Sequence, residues 1–436
     1  MSLYRFKPWL AAWAFVFLMG APAFAQEVPN SQLSEGQLLD PSAPGRFGGG
    51  VAPNEGYFFT FDAMNLYTSH PGITSIGAPG LTRQVFFAPS KSTVQGNSLD
   101  TSFLDNEWAW GERFEIGDIV GHCGWVLGYY NMRVQSQQND FQGVSMVIDD
   151  REFGPTNQRH LDGWLAELAP PPAPANTVIF SATPLPLPLM FDFMHVENVV
   201  DTWSVEWMYM HRTHPLGFYR STLAEMYFGV RYMEFEDRFT VEGRGARLRD
   251  QDGTGVNIAE PNTILADSEW QNDATNRIVG PQVGIRLFTR RGRWTFSTEG
   301  RFFAGFNFQT VRQKGVLGTH LNEVPTAGAG ATTLAIGPGN IISGIPAALE
   351  PTYFTHGFSA NEFSPCVEFR ADARLHLTRG LAFRAGYTAV YIDGIARASN
   401  MIDYVWSETT VFGIRQDTNR QGVFMNGLTF GLEFNR

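Results

Sequence analysis

The stretch RWTFSTEGRFFAGFNFQTVR, residues 293–312, decides the fold. Counted in twos, Trp294, Phe296, Phe302, Ala304, Phe306 and Phe308 fall on one face, and Ser297, Glu299, Arg301, Asn307 and Gln309 fall on the other. A helix would mix these sets, so the spacing predicts a long strand. Residues 361–378, NEFSPCVEFRADARLHLT, repeat the pattern. There Val367, Phe369, Ala371, Ala373, Leu375 and Leu377 alternate with Glu368, Arg370, Asp372, Arg374 and His376.

Outward from this pair, the same period marks residues 57–67, 199–212, 221–236, 275–289, 381–395 and 424–435. It is weaker at 108–120 and 122–136, where Trp108, Trp110, Trp125, Tyr129 and Tyr130 supply aromatics but alternation is patchy. The gaps between these ten segments set the architecture. Those at 68–107, 137–198, 237–274, 313–360 and 396–423 are long; those at 121–122, 213–220, 290–292 and 379–380 are short. Long and short alternate throughout. An antiparallel up-and-down barrel predicts this parity, with short periplasmic turns, long external loops and both termini inside.

Alternation alone also fits a secreted soluble β-protein, because an apolar face can meet either a core or lipid. Three features favour lipid. The segments are long, whereas sandwich strands average about 5–6 residues and membrane strands need about 9–11. Trp108, Trp110, Trp125, Trp203 and Trp294 sit near strand ends, where an interfacial girdle would lie. The opposite faces carry Glu, Arg and Asp together, as a barrel interior does. The expectation is an all-β fold, a single transmembrane β-barrel of about ten strands over residues 57–436.

Composition agrees. Lys plus Arg total 32 against 43 Asp plus Glu, and a net charge of −11 argues against a nucleic-acid partner. An aromatic content of 14% excludes disorder over the whole length. Two cysteines exclude a disulfide scaffold or a four-cysteine zinc site. Lysine stands only at Lys7, Lys91 and Lys314, so almost all positive charge is Arg, which suits packed, multiply hydrogen-bonded positions.

Arg5 and Lys7, the apolar run 9–19 and the Ala23-Phe24-Ala25 cleavage pattern read as a secretory signal over residues 1–25. Residues 26–56, rich in Pro, Gly and Ser, read as a flexible periplasmic leader. No later segment has the 18 consecutive apolar residues of a helical span. Together these imply export to a bacterial outer membrane.

Four segments carry a family resemblance. They are LAEMYFGVRYMEFEDRF at 223–239, IVGPQVGIRLFTRRGRWTFSTEGRF at 278–302, FSPCVEFRADARLHLTRGLAFRAGYTAVYIDGIARA at 363–398 and GLTFGLEF at 427–434. They resemble the beta barrel porin-7 family of bacterial outer-membrane barrels. The resemblance implies a signal-bearing barrel over most of residues 57–436 and, by the family's name, a pore. It carries no catalytic or binding residues across.

The polar faces hold Asp62, Glu206, Glu225, Arg231, Arg286, Glu299, Arg301, Glu368, Arg370, Asp372, Arg374, Arg384 and Glu433, the expected barrel interior and pore lining. One reading is a charged constriction that selects small solutes or ions. The other is a salt-bridged filling that supports the wall. Size favours filling, since about eight strands leave room only for side chains and open channels appear at about 16.

The family name and the charged interior together give the expected function, porin-like passive diffusion of small solutes through a narrow lumen. The alternative is a non-conducting barrel that binds surface partners, or braces the envelope, through its long loops. Loops 137–198 and 313–360 are the candidates for such contacts, and outer-membrane lipid is the expected surround. Arg370→Ala and Arg374→Ala separate the two readings, because only a pore would change ion selectivity.

The loops add detail. Residues 169–174 and 184–188 are Pro-rich and favour extended polyproline II. Residues 326–349, rich in Gly, Ala and Ile, suit a plug in the barrel mouth or a lid over its rim.

Chemistry is scarce. Asp250-Gln251-Asp252-Gly253 opens like a calcium loop, but its glycine comes too early and Pro261 stands where a ligating Glu belongs. The histidines show no zinc spacing, and no nucleophile elbow or phosphate loop is present. No enzyme activity, cofactor or metal is expected. A rim protease built from Asp149-Asp150 and His160/Asp162 is the weak exception. Cys123 and Cys366 fall at different heights and are expected to be free thiols.

Overall fold

Among the residues that the computed structural model describes (56–81, 83–87, 91–105, 107–149, 167–168, 178–179, 187–213, 222–247, 268–317, 333–335, 341–343, 352–378, 380–406 and 411–435), the ten segments form one closed antiparallel barrel. Its strands are β1 (Gly56–Thr68), β2 (Glu107–Val120), β3 (Cys123–Ile148), β4 (Leu187–Arg212) and β5 (Thr222–Arg247). They continue with β6 (Ser268–Arg291), β7 (Trp294–Leu317), β8 (Thr352–His376), β9 (Leu381–Ile395) and β10 (Gln421–Asn435). Each strand pairs with its chain neighbours, and β1 closes on β10 with Phe61 opposite Leu432. Closure leaves no unpaired edge. The tight turns after β2 and β6 use Gly121 and Gly292 at φ 64° and 62°, a conformation that costs glycine little.

Strands β3 to β8 run 24 to 26 residues. That is more than twice the length a membrane crossing needs. The sequence reading stopped β3 at 136, β5 at 236 and β8's start at 361; the structure carries all three further out. The reason is an inversion of polarity along each strand.

On β5 the outward residues Met226, Phe228 and Val230 give way, above Tyr232, to Glu234, Glu236 and Arg238. The inward residues change the opposite way, from Glu225 and Arg231 to Met233, Phe235, Phe239 and Val241. On β6 the outward Val283 and Val279 give way to Arg277 and Asp273 at the same height, where Arg277 lies opposite Glu234 and Phe308. Below this level the barrel is apolar outside and charged inside, as lipid demands; above it, charged outside and apolar inside, as water demands. The level marks the outer edge of the membrane. The Trp203 and Tyr232 rings meet just at it, 5.3 Å apart.

Above the boundary the interior is filled by two connections. Residues 396–406 and 411–420 enter with a short 3-10 turn, Ala398–Asn400, and a hairpin of Ile402–Trp406 with Val411–Ile414. Ile76, Ala78 and Leu104 come from the connection between β1 and β2. These pack with Met194, Phe239, Trp270 and Phe354 of the wall in one apolar cluster. Trp270 meets Tyr404 and Phe412 edge-on, at 6.1 and 5.4 Å.

The sequence suggested 326–349 for such a plug or for a lid over the rim. That segment lies outside the described residues except for two short strands, Thr333–Ala335 and Ile341–Ser343. Among the described residues, 396–406 and 411–414 help fill this space, with Ile76, Ala78 and Leu104. The polyproline expectation for 169–174 also lies outside the described residues. Leu187 and Pro188 belong to the wall, paired with Ile148 and Val147.

Candidate functional site

The barrel interior is layered. At the periplasmic end Phe58, Ile119, Val126, Met208, Met210 and Tyr227 make a small apolar cluster. Beside and above it stand the charges that alternation places inward. Their side chains are almost wholly buried, with Asp372 the most exposed at 11%.

One group gathers on the β1, β2, β8, β9 and β10 side. Asp62 accepts from Arg113 at 2.7 and 3.1 Å and lies 3.6 Å from Arg384. Asp372 pairs with Arg374 at 2.9 Å and Arg384 at 3.5 Å, and accepts from Ser297 at 2.7 Å. Arg374 also reaches Glu433 at 3.1 Å.

The second group crosses the lumen. Arg301 of β7 donates to Glu299 on its own strand, to Glu206 of β4 and, at 3.3 Å, to Glu115 of β2. In a closed ring of ten, β2 and β7 are five strands apart in either direction, so they are opposite walls. Arg370 of β8 also reaches Glu115, at 2.7 Å, and pairs with Glu368. Arg231 of β5 pairs with Glu368 at 2.8 Å and donates to Ser204 at 3.1 Å. Arg286 binds Glu299 at 2.6 Å and lies 3.6 Å from Glu225, which Arg212 and Tyr227 also hold, each at 2.6 Å.

Every inward residue read from the sequence lies in one of these two groups. Arg113, Glu115 and Arg212 are members that the reading missed. In β2 the outward positions include Glu112 and Asp118, so charge falls on both faces and alternation does not single out Glu115. Arg212 ends its strand, where period two has no further residues to support it. Gly128 faces Glu206, and a Cβ there would stand 2.7 Å from its carboxylate; the missing side chain leaves the space that the charge fills.

A second apolar layer, including Met64, Tyr130, Phe235, Phe303 and Ile392, covers the charges on the outer side. Above it, wall amides hold the plug by its backbone. Asn276 donates to the Ala396 carbonyl at 2.9 Å and accepts from its N–H at 2.8 Å. The Gly394 carbonyl accepts from Asn307, Gln309 and Ser364 at 3.0, 2.9 and 2.8 Å. Arg397 enters a buried ion pair with Asp237, which Asn198 also holds at 2.6 Å. Burial within the plug pushes the Tyr404 phenol well above its usual pKa, so it stays neutral.

The other sequence candidates lie mostly outside the described residues. Asp149 is buried at the edge of the plug, with its N–H on the Tyr404 carbonyl at 2.8 Å. Asp150, His160, Asp162 and the stretch 250–261 lie outside the described residues. No cluster of His, Cys, Asp and Glu among the described residues has a metal-holding arrangement. Cys123 is exposed at the periplasmic end and Cys366 is buried; both are free.

Residues 210–435 match the family model described as "Putative beta barrel porin-7 (BBP7)". This chain belongs to the beta barrel porin-7 family. The porin-7 match runs from the end of β4 through β10. It takes in Arg231, Arg286, Glu299, Arg301, Glu368, Arg370, Asp372, Arg374, Arg384 and Glu433. It does not reach Asp62, Glu115 or Glu206, their partners from the first strands.

Comparison with curated proteins finds no match. Among solved structures, the porin-7 chain is similar to the outer membrane protease OmpT of Escherichia coli, at 9% identity and a TM-score of 0.36, over 88% of this chain and 97% of that one. It is also similar to a FadL homologue of Pseudomonas aeruginosa, at 9% identity and a TM-score of 0.20, over 91% and 94% of the two chains. The toluene transporter TodX of P. putida aligns at 10% identity and a TM-score of 0.15, over 92% and 93%.

Proposed function

We propose that this protein is a closed outer-membrane barrel, an anchor that presents its extramembrane half and long loops at the cell surface and passes no solutes at rest. Residues 1–25 would direct export, and 26–56 would remain as a periplasmic leader. The observation that carries the reading is the pairing across the lumen. Ten strands about 4.8 Å apart and tilted by about 40° close on a cylinder roughly 20 Å across, backbone to backbone. Arg301 and Glu115 meet from opposite sides of that cylinder, and Arg370, Arg231 and Glu368 occupy the remaining cross-section. One apolar layer and the plug stand above them.

Passive diffusion through the lumen is the second reading. It has the family description in its favour, together with a charged layer that would suit small ions if the chain above it were displaced. Neither reading includes a catalytic step.

Solute uptake into proteoliposomes tests the proposal. Vesicles carrying the folded barrel should swell in sugar or amino-acid solutions no faster than protein-free vesicles. Swelling that depends on solute size would support diffusion and count against the closed barrel.

A further inference from the structure

The outward face of β7, above the membrane boundary, carries two cations with no ion pair among the described residues, Arg312 and Lys314, that the closed-lumen reading does not use. We propose that it docks the phosphate groups of glycolipid headgroups in the outer leaflet. The proposal rests on the reading that the barrel sits in an outer membrane, with the inversion of polarity at its outer edge.

The placement follows from register. Arg277 stands one outward position above Val279, the last apolar residue of the belt on β6. Higher up, a row crosses three strands as Arg238, Asp273 and Arg312, and the next row brings Lys314 beside Gln271. At about 3.4 Å per residue along tilted strands, all four cations lie within roughly 20 Å of the boundary. That band faces headgroups instead of acyl chains.

Two of the cations are already engaged. Arg277 binds Glu234 at 3.2 Å, and Arg238 binds Asp273 at 2.7 Å. Asp273 also accepts from Gln271 at 2.8 and 2.9 Å, so its charge is held on the β5–β6 side. Arg312 and Lys314 are exposed and have no ion pair among the described residues. Lys314 is also the one lysine of the ten barrel strands, in a chain that otherwise uses Arg for its wall. A flexible ammonium suits a mobile phosphate better than a fixed carboxylate fork.

The neighbouring strand leaves room. Arg312 lies opposite Gly357 and Lys314 opposite Thr355, with Ser359 next in line on β8. A Cβ placed on Gly357 would meet nothing within 4 Å. The two cations therefore overlook a low shelf edged by hydroxyls and, at its top, by Tyr353, which is 76% exposed. A phosphorylated sugar offers what this shelf lacks, negative charge and hydroxyl partners. The face of β3 and β4, on the other side of β5, is unsuited to it, since it turns Asp140, Glu197 and Asp201 outward at comparable height.

The experiment uses the mature chain refolded in detergent, with folding confirmed by heat-modifiable gel mobility. Failure to fold there would strike the barrel reading and not this one. Native mass spectrometry then measures binding of a bis-phosphorylated diglucosamine lipid and of the same lipid dephosphorylated. The proposal expects wild type to prefer the phosphorylated lipid by at least about tenfold. Arg312→Ala with Lys314→Ala should weaken that binding by roughly 10- to 30-fold, while Lys314→Arg and the far-wall Arg133→Ala should keep it. Equal binding of both lipids, or wild-type affinity in the double variant, would overturn it. Full competition by millimolar inorganic phosphate would overturn it too, by showing a free-anion site in place of a lipid one.

Discussion

Arg301 on β7 and Glu115 on β2 belong to opposite walls of the barrel, yet their side chains meet at 3.3 Å, Nη2 to Oε1. The contact is possible because both residues are long and the ring is small. Arg301 also holds Glu206 and Glu299, so one guanidinium ties three strands together inside the membrane. Arg is suited to this work because its planar fork offers five donors in fixed directions.

Arg301→Ala should therefore be among the costliest single substitutions in the chain. It leaves Glu115 to Arg370 and Glu299 to Arg286, but takes from Glu206 its one ion pair among the described residues, and breaking a buried pair in this way costs about 3–5 kcal/mol. A urea or guanidinium titration of the detergent-folded barrel should show a clearly lowered midpoint. Arg301→Lys keeps the charge but loses the fork, and should fall between the two. A midpoint unchanged in Arg301→Ala would mean that the network contributes little.

Gly394 is the hinge at which β9 turns into the plug. Its φ is 72°, and a Cβ there would stand 2.7 Å from the Phe363 carbonyl oxygen. Gly394→Ala should cost about 1–3 kcal/mol of local stability. It should also misplace the carbonyl that Asn307, Gln309 and Ser364 hold. Hydrogen exchange should rise in 396–420 and stay low in the lipid-facing parts of β6 and β7. Unchanged exchange in the plug would contradict this anchoring.

The polarity boundary predicts a contrast on a single strand. Val283 and Thr275 both point outward on β6, below and above the boundary. Val283→Arg should cost about 2–4 kcal/mol for folding into lipid vesicles, and Thr275→Arg about 0–1. Equal costs would mean that the boundary is misplaced.

The thiols report the same topology by chemistry. Cys123 is exposed at the periplasmic end, and Cys366 faces inward within the apolar layer that covers the charges. A water-soluble maleimide should add once to the folded protein, at Cys123, and twice to the denatured chain. Labelling of Cys366 in the folded state would show an interior that water and reagent can enter.

Much of this was legible in the sequence, for a physical reason. Inside the membrane both faces of each strand are constrained, so residues such as Phe306 and Glu299 announce their sides by period two alone. The extramembrane halves were harder to read. Period two continues there, but the apolar face changes sides between Tyr232 and Met233, and a reader who follows one face takes the inversion for the end of a strand. Residues 326–349 suit a plug or a lid because they are small and apolar, and that stretch lies almost wholly outside the described residues. Ile402, Tyr404 and Phe412, which help fill the barrel, sit in a connection whose partners, Trp270 and Phe354, are far away in the chain. Glu115 was hidden by charges on both faces of β2, and only the cross-lumen pairing reveals it.

The central claim is that the lumen is closed, and single-channel recording of the refolded mature chain in a planar bilayer tests it most directly. The account predicts a silent membrane across ordinary voltages when heat-modifiable mobility shows that the protein is folded and inserted. Discrete, voltage-tolerant openings whose ion selectivity shifts in Arg370→Ala would contradict it, because they would require a continuous water path past Arg301 and Glu115.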